Sequence, residues 1–185
     1  MIPRQLPIRI RPMRTRLLAL PLMLLAMIGA AKADDIAAAC QSSGWDMSRE
    51  LTAFRGTARD TRGGSKATDM PTIELGRLYA LQLQPQSSVQ FLRPPQKPAK
   101  VQAPAAGMVR FSVTGAGKYR ITVDAPLWID VVAPTGIVPS EDFNGWHACA
   151  LFRKSVDYTL QAGQSFVVQL SGASAAAVKI DIEPL

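Results

Sequence analysis

The chain has 185 residues, with 21 Lys and Arg against 14 Asp and Glu, one histidine and two cysteines. One histidine excludes a three-histidine zinc site, a two-histidine-one-carboxylate iron centre and a His-Glu-x-x-His peptidase site by ligand arithmetic alone. Six of the basic residues precede Asp34; the remainder carries 15 against 14, and it lacks the basic cluster that a nucleic-acid or anionic-membrane surface requires.

The first 33 residues have the layout of a secretory signal peptide. Arg4, Arg9, Arg11, Arg14 and Arg16 form a basic region, and Leu17 to Ala30 is an apolar run too short to span a bilayer and interrupted by Pro21. Ala31-Lys32-Ala33 then provides an A-x-A cleavage site. Cleavage there predicts a mature chain of 152 residues starting at Asp34, exported to the periplasm or beyond, with no later membrane span. Ile36-Ala37-Ala38-Ala39-Cys40 loosely resembles a lipobox, but Asp34 and Asp35 separate it from the apolar run. Cys40 and Cys149 form an even pair in an exported chain, outside any C-x-x-C arrangement, and predict a disulfide.

Residues 34–71 read as a helical preface followed by a mobile connection. Asp46 offers an N-cap, Met47, Leu51 and Phe54 fall on one helical face, and Gly56 is a stop signal. From Thr57 to Pro71 no apolar period is present. Residues 72–185 read as β throughout. Tyr79, Leu81 and Leu83 alternate with polar or small residues, and Val89 with Phe91 suggest a short run ended by Pro94-Pro95. The proline-rich segment from Arg93 to Gly107 reads as a surface crossover without a core strand.

Val109 to Val113 and Tyr119 to Val123 alternate at period 2 across a Gly115-Ala116-Gly117 turn and read as a β-hairpin, with Leu127 to Val132 as a further strand. That last run is apolar on both faces, so something must cover its outer side. The Met47, Leu51 and Phe54 stripe is the expected cover, lying over Trp128 and Val132. After an irregular stretch to Phe152, three alternating runs around Val156, Val168 and Ile180 complete seven or eight short strands, which describe a jelly-roll-like antiparallel β-sandwich with a short N-terminal helix.

The irregular stretch holds the polar candidates. His147 beside Trp146, with Arg153 nearby, offers a loop site for a ligand; no G-x-S-x-G elbow surrounds any serine to make a triad with that histidine. Glu141, Asp142 and Asn144 are hard oxygen donors that calcium would suit, though they lack the glycine and terminal carboxylate of a calcium loop. No other cofactor is indicated. Neighbouring acids on one loop seldom flank a scissile bond from two sides, which argues against a glycosidase pair.

Phe111-Ser112-Val113, Gly117 to Val123, Leu127-Trp128-Ile129, Tyr158 to Gly163 and Val168-Gln169-Leu170 together resemble the bacterial pre-peptidase C-terminal type of β-sandwich over residues 107–183, and more loosely carbohydrate-binding sandwiches. The whole mature chain resembles small exported proteins of Gram-negative bacteria. The resemblance implies a secreted accessory or binding module, although such modules usually accompany a catalytic domain. The resulting expectation is an exported, non-enzymatic binding or accessory module of the cell envelope whose partner is a protein or a carbohydrate. Its rivals are a hydrolase acting through Glu141, Asp142 or His147, and a structural envelope protein packed against a partner.

Overall fold

The computed structural model describes residues 35–41 and 44–185. The expected signal peptide and cleavage site, residues 1–33, lie outside the described residues. After a helical turn at 35–39 come α1 (Ser48–Arg55) and eleven strands: β1 (Arg59–Arg62), β2 (Tyr79–Gln82), β3 (Gln84–Pro85), β4 (Ala105–Val113), β5 (Gly117–Val123), β6 (Trp128–Ala133), β7 (Gly136–Val138), β8 (Asp142–Gly145), β9 (Lys154–Leu160), β10 (Gln164–Ala173) and β11 (Ala177–Pro184). They form two sheets, ordered β1-β2-β11-β5-β9-β8 and β3-β4-β10-β6-β7. The architecture is a mainly β sandwich with a short helix, and among the described residues every strand pair is antiparallel except β1 with β2.

Alternation explains the core between the sheets. Tyr119, Ile121 and Val123 of β5 face inward with Val156, Tyr158 and Leu160 of β9 and Val178, Ile180 and Ile182 of β11, against Val109, Phe111 and Val113 of β4, Ile129 and Val131 of β6, and Phe166, Val168 and Leu170 of β10. Tyr158 is buried in this layer, and its hydroxyl crosses between the sheets to donate to the Ile129 carbonyl at 3.0 Å.

The central hairpin expected from the sequence is not one. β4 pairs with β10 and β3, whereas β5 pairs with β11 and β9, so the Gly115 to Gly117 connection carries the chain from one sheet to the other. Alternation marks both segments as strands whichever neighbour they take, and a glycine-rich link serves an inter-sheet arch as well as a hairpin. The 57–71 connection also gains structure. Arg59–Arg62 adds a parallel strand at the sheet edge, and Gly64 exchanges backbone hydrogen bonds with Met108 at 2.8 and 3.0 Å. A Cβ on Gly64 would sit 2.6 Å from the Met70 Cα, so this approach requires glycine.

The second correction concerns what covers the sheets. α1 packs on the outer face of the six-stranded sheet, beside β11, and not over Trp128 and Val132 of β6. Its stripe of Met47, Leu51 and Phe54 buries against Leu78, Trp146, Phe152 and the Cys40–Cys149 disulfide, in a second cluster distinct from the sandwich core. Phe152 contacts Phe54 and Trp146 edge-on, with centroids 5.5 and 5.6 Å apart. The helix begins at Ser48, and Asp46 still accepts the Ser48 N–H at 3.0 Å.

The outer face of β6 is covered by the Val89 to Leu92 run that reads as a short strand, together with the first residues of the segment that reads as a crossover. Val89, Phe91 and Leu92 lie on Val132, Val167 and Met108 instead of forming a strand, and β4 begins inside the proline-rich stretch at Ala105. Polar clamps hold this strap. Gln169 is 0 % exposed; its Oε1 accepts from the Leu92 and Arg93 N–H groups at 2.8 and 3.2 Å, and its Nε2 donates to the Arg93 carbonyl at 3.0 Å. Asp130 accepts from the Gln96 N–H and from Trp128 Nε1, at 3.2 and 2.8 Å. Gln169→Leu strips three backbone groups of their partner at once, and it is expected to cost about 2–3 kcal/mol in chemical denaturation. An unchanged denaturation midpoint would show the clamp to be dispensable.

Candidate functional site

The residue types singled out in the sequence do not converge. Trp146 is only 4 % exposed, and its Nε1 donates to Ser155 Oγ at 3.0 Å; the indole is part of the cluster under α1, so its ring is not available for stacking on a ligand. Arg153 is used internally too, its Nη1 donating to the carbonyl of His147 at 2.7 Å and lying 3.4 Å from that of Trp146. These bonds shape the loop between β8 and β9. His147 is exposed just past Gly145.

Asp142 and Asn144 belong to β8, an edge strand paired to β9, so the acidic stretch is extended strand backbone. Glu141 is held by Lys118 Nζ at 2.8 Å and by the Thr159 hydroxyl, and these partners keep its carboxyl below the usual glutamate range. Asp142 accepts the N–H of Phe143 at 2.8 Å. At about 3.3 Å per residue, Asp142 lies about 10 Å along β8 from the Gly145 end where His147 begins its loop. The hydrolase set is therefore divided between the two ends of β8. Among the described residues no three His, Cys, Asp or Glu side chains are grouped so as to hold a metal ion, and no helix is long and apolar enough to cross a membrane.

What the fold does assemble is a polar layer between the six-stranded sheet and α1. Register places Glu183, Arg120, Asp157 and Asp142 in one row across β11, β5, β9 and β8, and Asp181, Thr122, Ser155 and Asn144 in the next. Arg120 is its centre. It binds Asp157 through Nε and Nη2 at 2.7 and 3.0 Å, donates from Nη1 to the Asp46 carbonyl at 2.8 Å, and stacks 4.2 Å from the Trp45 ring centroid. Thr122 and Ser155 share a hydroxyl contact of 2.8 Å. Two carboxyls of the layer, Glu50 from α1 and Asp181 from β11, are each 1 % exposed and have no hydrogen-bond partner among the described residues. Burial raises both pKa values, Glu50 against the pull of Arg120 and Asp181 to about 7 with help from the neighbouring charges of Glu183 and Glu50. A shallow depression lined by Ser48, Arg49, Thr52, Ala53, Gly76 and Glu183 lies where α1 meets β11, with Arg49 donating to the Pro184 carbonyl.

Sequence reading missed this layer because Arg120, Asp157 and Asp181 occupy the polar positions of alternating strands, which ordinarily face water. The excess of acids at those positions was the available signal.

Trp128 is half-buried, with Lys154 Nζ 4.5 Å and Lys97 Nζ 5.9 Å from its ring centroid. Lys154 Nζ donates to the Leu127 carbonyl at 3.1 Å, and burial lowers its pKa against the nearby Asp130 charge.

Fold and layer together define a disulfide-anchored β-sandwich with both outer faces covered by its own chain. No protein-family model and no curated protein matches the sequence. Among solved structures, the chain is similar to "CBM35 from Cellvibrio japonicus Abf62", with 17% identity, a TM-score of 0.24, and coverage of 43% of this chain and 69% of that one.

Proposed function

We propose that this chain is an exported, non-enzymatic binding or accessory module of the cell envelope, of the pre-peptidase C-terminal-like type that residues 107–183 resemble. The observation that carries the reading is the β8 edge. The outer faces of both sheets are occupied by α1 and by the strap from Val89 to Gln96, whereas β8 ends the six-stranded sheet with Phe143 70% exposed beside unpaired strand backbone. An exposed aromatic on an open strand edge suits strand addition by an extended partner segment. A protein of the envelope is therefore the favoured partner, ahead of a carbohydrate.

The enzyme reading is weaker because Glu141 and Asp142 stand at one end of β8 and His147 beyond the other, with Glu141 already bonded. The structural-protein reading calls for a flat apolar patch, and among the described residues the large exposed apolar side chains are Ile36, Val101, Phe143 and Leu185, dispersed along the sequence. A photo-crosslinking amino acid placed at Phe143 in cells that make the full chain is expected to yield a discrete adduct that the exposed loop position Thr135 does not. Equal labelling from both positions, or none from Phe143, would remove the β8 edge as the binding surface.

A further inference from the structure

The two buried carboxyls under α1 have no part in the β8 reading, and they face a surplus of negative charge. Glu50 reaches from α1 into the layer, with its Oε1 3.7 Å from Arg120 Nη1, too far for a hydrogen bond. β11 contributes Asp181 and Glu183, two residues apart on one face, and β9 contributes Asp157. Against these four acids stand Arg120 of β5, already committed to Asp157, to the Asp46 carbonyl and to the Trp45 ring, and Arg49 of α1, bonded to the Pro184 carbonyl. Asp46 at the approach to α1 is bonded to Ser48 and adds a further negative charge, while the 146–153 loop turns Arg153 onto its own carbonyls. Four ionised carboxylates here would outnumber the two guanidinium groups, with Glu50 and Asp181 sealed from water. The closed arrangement therefore requires protons.

We propose that α1 is a pH-operated cover: protonated Glu50 and Asp181 hold it on the six-stranded sheet, and their ionisation lets it open locally while the sandwich stays folded. The sign follows from proton binding. The closed state binds a proton that the open state releases, so closure weakens as pH rises from the ordinary carboxylate range to about 7 and levels off above it. The Cys40–Cys149 disulfide links the chain just before α1 to the 146–153 loop, so the cover opens on a tether. Opening would uncover Arg120, which now contacts Met47, Glu50 and the Asp46 carbonyl, together with its partner Asp157.

Amide hydrogen exchange on the exported full chain, corrected for intrinsic exchange rates, tests this at pH 5 and pH 8.5. For an Asp181 that titrates near pH 7 closed and near its reference value of 3.8 open, α1 amides should be open on the order of a hundredfold more often at pH 8.5, with β5 and β10 amides unaffected. Glu50→Gln and Asp181→Asn should each flatten that dependence. Equal α1 protection at the two pH values, or loss of protection shared equally by α1 and the core strands, would overturn the proposal. Should either variant fail to fold, carboxyl-carbon NMR of the wild-type chain decides. An Asp181 midpoint near 7 supports the cover, and a midpoint below 5 overturns it.

Discussion

Arg120→Met will destabilise the fold by about 3–5 kcal/mol, the range for removing one partner of a buried ion pair. Met reaches only as far as the Arg Nε position, so the loss is that of the guanidinium: its charge, its hydrogen bonds and its stacking on the Trp45 ring. Asp157 would lose its bidentate partner, the Asp46 carbonyl its donor, and Glu50 its nearest cation, all in a layer closed to water. At about 2–4 °C per kcal/mol for a domain of this size, the melting temperature should fall by about 6–20 °C. Adding Asp157→Leu should recover part of the deficit, because replacing both partners by apolar groups leaves no orphaned charge in the pair. A double variant less stable than the single by the full cost of a second core defect would refute the claim that the unpaired Asp157 carboxylate causes the loss.

Removing the disulfide with Cys40→Ser and Cys149→Ser should cost about as much, by a different route. The bridge joins residues 109 apart, and closing a loop of that size removes about 4–5 kcal/mol of chain entropy from the unfolded state in the entropic model. The double serine variant should therefore unfold at a much lower denaturant concentration, and dithiothreitol should produce the same shift in the wild type. Both sulfurs are buried against Trp146 and Phe152, so local damage to that cluster adds to the loss. An unfolding midpoint that ignores reduction would mean that the unfolded chain is already compact enough for the bridge to constrain nothing.

The strands around Phe111, Ile121, Val156, Val168 and Ile180 were legible because every second side chain is apolar and the six-stranded and five-stranded sheets bury those faces against each other. The helix was legible from Met47, Leu51 and Phe54 and its stop at Gly56. The disulfide was legible because the sequence holds two cysteines, an even pair outside any C-x-x-C arrangement. β8 was hidden, since Asp142-Phe143-Asn144-Gly145 has no apolar alternation and is a strand only because β9 supplies backbone partners. Trp146 was placed on a loop from its neighbours alone, and its burial depends on α1, 92 or more residues earlier in the sequence at Phe54, and on the fold that brings the two together.

The amino-acid sequence by itself determined the main core strands and their apolar faces, the helical segment and which cysteines pair, because these follow from local periodicity and residue chemistry. Pairing partners and the identity of each cover were decided by the tertiary structure. Alternation at period 2 states that a face is buried without naming what buries it, so β4 and β5 could read as a hairpin and still part into two sheets. In the same way Arg120, Asp157 and Asp181 sit at positions that would face water on a bare sheet, and only the docking of α1 turns them into a buried charge layer.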